Sequence, residues 1–175
     1  MANFINKTSV VEAATIYQGG TLIGNDYTVS LPDVVPVTAD VGGLMGTMNI
    51  PLLNTLESME LTITKVGIDK NAAQMCSPGK KEFLIKWVQD QVDSDGNVTP
   101  IGCKANVTCL PKSYMPSADI EVGSASEFDC TYEVSIYELI EDGKTVFQVN
   151  RMGGTLKAWN GSKLVDCSSN FSSLL

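Results

Sequence analysis

Residues 128–139, FDCTYEVSIYEL, form the longest run of strand-favouring residues in the chain and decide its fold class. The run ends before Asp142-Gly143, a dipeptide typical of a two-residue hairpin turn, and residues 144–150 follow as a second strand. Elsewhere helical periodicity is scarce, whereas alternation with a period of two residues is common. We therefore predict a mainly β fold, of the β-sandwich or barrel-like kind.

The alternation also predicts which side chains face the core. Two segments, 57–64 and 103–110, carry hydrophobic residues at every second position, as half-buried strands do. The residues that share one face are Met59, Leu61 and Ile63 in the first segment and Cys103, Ala105, Val107 and Cys109 in the second. In 82–91, Phe83, Ile85 and Trp87 alternate with Leu84, Lys86 and Val88, so both faces have some hydrophobic content. Residues 118–122 alternate in the same way, so we expect a further strand with Ala118, Ile120 and Val122 opposite Asp119 and Glu121.

Turn residues and one capping residue delimit the other elements. Gly19-Gly20 predicts a hairpin between strands at 13–18 and 21–31, and Asn160-Gly161 predicts another between 154–159 and 162–166. Ser94-Asp95-Gly96-Asn97 predicts a third turn. One short α-helix is expected over residues 69–77, because Asp69 can cap it and Pro78-Gly79 ends it.

Composition excludes several classes of function. Twenty acids and twelve bases in 175 residues leave a net charge of −8, which argues against a protein that binds duplex DNA through its own charge. Arg151 is the single arginine, so clamps that hold a phosphate through two hydrogen bonds are disfavoured. The chain has no histidine, which rules out a histidine base or a histidine-ligated metal. We predict no catalytic residue, no metal site and no cofactor.

The cysteines and the hydrophobic runs indicate an intracellular chain outside the membrane. Cys76, Cys103, Cys109, Cys130 and Cys167 are odd in number and widely spaced, and the start of the chain shows no export signal. Free, buried thiols are the simplest interpretation. The sequence contains no run of eighteen hydrophobic residues, so we expect no membrane span.

Two long segments give no clear local signal. Residues 32–52 are rich in glycine and proline, and residues 111–127 separate two predicted strands. Each is too long for a routine connection, so we expect two extended arms that project from one domain. This domain spans residues 1–175, with a core over about 13–166 and a loose tail over 167–175.

Local motifs that resemble catalytic or ligand sites are weak. Asp93-Ser94-Asp95-Gly96 starts like a calcium loop but lacks the closing glutamate, so a plain turn is the better interpretation. Gly42 to Gly46 lacks the lysine of a phosphate loop. Asp119 and Glu121 could pair as acid and base of an enzyme, and Trp87 and Trp159 could line a ligand cleft in a monomeric sandwich that binds a small ligand or carbohydrate. Both alternatives stay open, but we rank them below a structural role.

A structural role follows from the strand edges. A chain with many strands and few lysines has little protection against edge-to-edge pairing, and neighbouring copies can complete such edges. The order of segments resembles the major tail tube protein of contractile-tailed bacteriophages and phage-tail-like particles. The segments that carry this resemblance, over residues 15–166, are Tyr17–Gly20, Val29–Pro32, Val41–Gly46, Asn49–Leu52, Leu56–Glu60, Asp95-Gly96, Cys130–Val134, Tyr137–Leu139, Asp142–Lys144 and Trp159–Gly161. Fewer bases and a cysteine-containing core set this chain apart.

The resemblance implies a subunit of the inner tail tube. Six copies would form a ring, rings would stack into a hollow tube, and each copy would lend about four strands to an inner barrel of about 24. The tube would pass DNA or an effector without binding it, inside a virion tail assembled in the host cytoplasm. The implied partners are other copies of the chain, the sheath protein, the tape measure protein, the baseplate and the tail terminator.

Two sets of residues are candidates for this role. Contacts between rings are expected at the two arms, through Val41, Gly42, Gly43, Leu44, Met45, Met48, Tyr114 and Met115. An acidic lumen would repel phosphates, and its candidate residues are Glu60, Thr62, Thr64, Asp119, Glu121, Glu127 and Asp129.

Overall fold

Twelve strands and one helix account for most of the chain in the computed structural model, which describes residues 8–24, 27–115, 118 and 120–168. The strands are β1 (Thr8–Gln18), β2 (Thr21–Gly24), β3 (Tyr27–Ser30), β4 (Pro36–Gly43), β5 (Gly46–Leu56), β6 (Glu60–Val66), β7 (Lys81–Val92), β8 (Val98–Pro111), β9 (Glu127–Glu141), β10 (Lys144–Asn150), β11 (Thr155–Trp159) and β12 (Leu164–Asp166). Helix α1 spans Lys70–Met75. The predicted mainly β fold with one short helix is confirmed.

Ten strands form one antiparallel sheet in the order β12-β11-β10-β9-β8-β7-β1-β2. Strand β6 pairs with the first half of β9, and β3 pairs with β6. The 15-residue strand β9 is the centre of this arrangement, because it pairs with β6, β8 and β10. Strands β4 and β5 form a separate two-stranded sheet, the β4–β5 hairpin.

The main sheet folds over itself to enclose the core. Phe83 on β7 pairs with Val107 on β8, and Val107 pairs with Tyr137 on β9. Phe83 and Tyr137 are therefore at the same level of the sheet, two strands apart. The ring of Phe83 nevertheless meets that of Tyr132, five residues earlier on β9, with centroids 5.1 Å apart in an edge-to-face arrangement. In a flat sheet five residues along a strand separate two side chains by about 16 Å. The contact therefore requires the first half of β9 to cross over β7, as in a sandwich.

A β-bulge at Ser135 marks the place where β9 changes its inward face. The pairing with β8 passes from Thr108–Ile136 to Cys109–Val134 and leaves Ser135 without an opposite residue. Inward positions therefore step from Val134 to Tyr137 instead of to residue 136. The Ser135 hydroxyl donates to the Thr108 carbonyl at 3.1 Å, which holds the bulge in place.

The core contains the residues that the alternation predicts. Met59, Leu61 and Ile63 are fully buried, and so is Ala105. Cys76, Cys103, Cys109 and Cys130 are free and buried, and Cys103 and Cys109 share a face as expected. Cys167 is free but exposed, which corrects the expectation of a buried thiol there, because it follows the short edge strand β12.

Helix α1 begins where the sequence predicts. The Asp69 carboxylate accepts a hydrogen bond from the Ala72 N–H at 2.8 Å, which caps the helix, and the helix ends at Met75. Asp69 also pairs with Lys65. This ammonium and the capped N–H lower the pKa of Asp69 below its usual value.

Two predicted strands are wrong. Residues 21–31 do not form one strand but two, because β2 pairs with β1 whereas β3 pairs with β6. Residues 120–126 form a turn with Gly123 at φ 95°, and Ile120 and Val122 are exposed. Alternation alone does not make a strand when no neighbouring strand completes its hydrogen bonds. The hairpin turns at Gly19-Gly20, Asp142-Gly143, Asn160-Gly161 and residues 94–97 are confirmed.

No helix among the described residues is long and hydrophobic enough to span a membrane.

Candidate functional site

The β4–β5 hairpin is exposed along most of its length. Its pairs run from Thr38–Pro51 to Gly43–Gly46 and close on a two-residue turn at Leu44-Met45. Both turn side chains are as exposed as in an extended chain, at 108% and 102%. Large contiguous exposed hydrophobic surfaces mark contacts with other proteins, so this tip, with Val41 and Met48 beside it, has the character of a contact surface.

The arms contain the remaining predicted contact residues. Val41 and Met48 are cross-strand partners on the hairpin, and both are exposed. Tyr114 and Met115 are exposed on the second arm, the segment 112–126 between β8 and β9. Contacts of these residues with other copies remain a prediction. The sequence did not predict that the first arm is a hairpin, although the glycines around residues 42–46 are a signal for one.

Five of the predicted lumen residues lie together on one outer face of the sheet, which we call the polar face. Strands β6 and β9 place Glu60, Thr62 and Thr64 opposite Glu133, Thr131 and Asp129, and Glu127 continues the same row. The Thr64 hydroxyl donates to the Asp129 carboxylate at 2.5 Å. Of the two remaining candidates, Glu121 is on the exposed turn of the second arm, and Asp119 lies outside the described residues.

Two bases partly neutralise the polar face. Glu60 and Glu133 are direct cross-strand neighbours, an arrangement that is unfavourable for like charges. Lys112 lies between them, paired with Glu60 and at 3.5 Å from Glu133, and Arg151 pairs with Glu133. Since Lys112 is the first residue of the second arm, this contact also fixes the base of that arm to the sheet. Sequence reasoning missed both bases because they are distant in the chain.

The pKa of Glu133 reflects these contacts. Burial alone would raise it, but hydrogen bonds from Ser58, Arg151 and Lys112 to the carboxylate outweigh burial and lower the pKa below its usual value. A carboxylate with a lowered pKa stabilises the folded state above its unfolded pKa of about 4.3. That contribution is lost as the pH falls through the lower, folded value.

Replacing Glu133 by glutamine is therefore expected to destabilise the subunit at pH 7 and to have a smaller effect at pH 3. Urea unfolding at the two pH values measures the difference in free energy of unfolding between variant and native protein. Glu127→Gln is the matched control, since Glu127 lies on the same strand and face and pairs with no base among the described residues. An equal loss at both pH values for Glu133→Gln would contradict this account.

The alternative sites have little structural support. Asp119 lies outside the described residues. Glu121 lies on an exposed turn rather than in a pocket. Trp87 lines a groove together with Tyr27 and Ile85, but Trp159 is on β11 and does not line that groove. Asp93 accepts hydrogen bonds from the N–H groups of Asp95 and Asn97 at 2.9 Å, as in a plain turn.

An exposed hydrophobic hairpin and short edge strands both favour association with another chain. A sequence model of the phage tail tube protein FII family matches residues 8–164, and the chain belongs to this family. It is therefore a structural subunit of a phage-type tail tube, and the predicted resemblance is confirmed.

Two solved structures are similar to the chain. One is a chain of the sheath–tube complex of an extracellular contractile injection system in its extended state, with 19% identity, a TM-score of 0.46, and coverage of 74% of this chain and 87% of that one. The other is a chain of the sheath/tube terminator of such a system, with 17% identity, a TM-score of 0.49, and coverage of 75% and 94%. Comparison with curated proteins gives no significant match.

Proposed function

We propose that this subunit forms rings of six copies that stack into a hollow tube. The observation that carries the proposal is the β4–β5 hairpin, whose strands pair only with each other among the described residues and whose tip exposes Leu44 and Met45. Burying two such side chains in a neighbouring copy stabilises the contact by about 3–6 kcal/mol before the cost of association. The second arm, with Tyr114 and Met115, supplies a further contact between rings.

The sheet edges support lateral association within a ring. Among the described residues, strands β2, β3 and β12 are the edges of the main sheet, and each is short. Their outer backbone groups are available to a strand of another copy, and closure into a ring would leave no edge unpaired. Six copies with about four strands each would close a barrel wide enough for a channel.

We further propose that the polar face lines this channel. Its threonines and acids offer hydrogen-bonding groups without a net positive charge, and Glu127 and Asp129 have no basic partner among the described residues. Such a surface repels phosphates, so DNA or an acidic effector passes without being held. The sheath, the tail terminator, the tape measure protein and the baseplate are the proposed partners in a virion tail assembled in the host cytoplasm.

The proposal is tested by concentrating the purified chain and observing it by negative-stain electron microscopy and sedimentation. We expect rings or tubes with an open centre, with an apparent mass that increases with protein concentration. A sharp monomer at every concentration would overturn the proposal and favour a ligand-binding sandwich.

A further inference from the structure

Two lysines face each other on the outer side of the sheet. Lys86 on β7 and Lys104 on β8 are direct cross-strand partners, and like charges at such positions repel. Lys86 lies 4.7 Å from the centre of the Tyr17 ring. No ion pair among the described residues involves either lysine. In a chain with a net charge of −8, this pair is a local excess of positive charge that an external carboxylate can neutralise.

The two ammonium groups border a groove of about 430 Å³. Ala13 and Gly102 line it with little or no side chain, so another chain can approach the backbone closely. Val88, on the same face of β7 as Lys86, adds hydrophobic surface. Among the described residues, Asp142 is the single carboxylate that lines the groove, so the lining keeps a net positive charge. The groove therefore fits an exposed segment that carries a carboxylate next to a hydrophobic side chain.

The second arm presents such a segment. Residues 120–122 read Ile-Glu-Val, and the side chains of Ile120 and Val122 are 85% and 103% exposed. Glu121 lies between them and is exposed as well. Aliphatic side chains in water are unfavourable relative to burial, so a contact that covers either of them is favoured. The segment thus has both the charge and the hydrophobic surface that complement the groove.

The groove and the arm lie at opposite ends of the same strands. The second arm follows Pro111, the last residue of β8, and precedes Glu127, the first residue of β9. The groove is bordered by Gly102 and Lys104 near the other end of β8 and by Asp142 just after β9. A contact between the two in different copies is head-to-tail, and contacts of this kind continue from copy to copy.

We propose that residues 120–122 of one copy bind in the groove between Lys86 and Lys104 of the next copy, with Glu121 between the two ammonium groups. This inference rests on the proposed tube function and names the surface that receives the second arm.

Cross-linking between engineered thiols tests the contact. Val122→Cys and Val88→Cys are combined in one chain that also carries Cys167→Ser, because Cys167 is the exposed native thiol of the described residues. Assembled protein is treated with a short bismaleimide and separated under denaturing conditions. A head-to-tail contact joins each copy to two others, so we expect a ladder that extends beyond dimers. Each single-cysteine variant stops at the dimer.

Controls separate this inference from the proposed function. Val122→Cys with Met152→Cys is the matched control, because Met152 is 89% exposed but lies on the turn after β10. Adding Lys86→Glu and Lys104→Glu to the test variant is expected to lower the yield of the ladder about tenfold, since the groove then repels Glu121. Tubes without a ladder above the control yield would overturn the inference and leave the proposed function intact. A chain that stays monomeric would overturn both.

Discussion

Replacing Leu44 and Met45 by serine is expected to abolish assembly while leaving the subunit folded. Both side chains are fully exposed at the tip of the β4–β5 hairpin, so the isolated subunit gains nothing from them. In the assembled state their burial contributes about 3–6 kcal/mol per contact, which corresponds to a 10²- to 10⁴-fold change in the association constant. The same free energy of association is lost at every such contact in a stack.

Sedimentation velocity at increasing concentration, together with thermal unfolding, measures both parts of this expectation. The double variant should sediment as a monomer where the native chain forms large species, and its unfolding midpoint as a monomer should be unchanged. Met152→Ser is the matched control, since it also removes an exposed methionine at a turn. Normal assembly of the double variant would exclude the hairpin tip as a contact between copies.

Replacing Phe83 by alanine is expected to cost the subunit about 3–5 kcal/mol of its free energy of unfolding. Phe83 is 2% exposed and meets Tyr132 edge to face, so the substitution leaves a cavity at the place where the sheet folds over itself. Since a domain of this size has about 5–15 kcal/mol in total, this loss is a large share. The variant should also fail to assemble at temperatures where the native chain does.

Chemical denaturation followed by tryptophan fluorescence measures this loss. Leu110→Ala is the control, because Leu110 is on β8 but 53% exposed, and it should cost less than about 1 kcal/mol. If both variants lost the same amount, the contact between Phe83 and Tyr132 would not be central to the core.

The polar face is less acidic than the sequence predicts, because two bases pair with its carboxylates. Sequence reasoning grouped Glu60 with Thr62 and Thr64 because a strand places alternate residues on one side, and this is confirmed by the structure. It could not predict that Lys112 and Arg151 reach the same face, because they come from segments 52 and 18 residues away from their partners Glu60 and Glu133. For the same reason, the sequence did not predict that Lys86 and Lys104 are cross-strand partners.

The sequence by itself determined the local features: the inward positions of β6 and β8, the cap of α1, and the glycine turns that join neighbouring strands. These depend on a side-chain period or on one backbone conformation, and both are properties of a few consecutive residues. The tertiary structure alone decided the bulge at Ser135, the crossing of β9 over β7 and the separation of β2 from β3. Those features depend on which distant strand supplies the hydrogen bonds, and no local pattern contains that information.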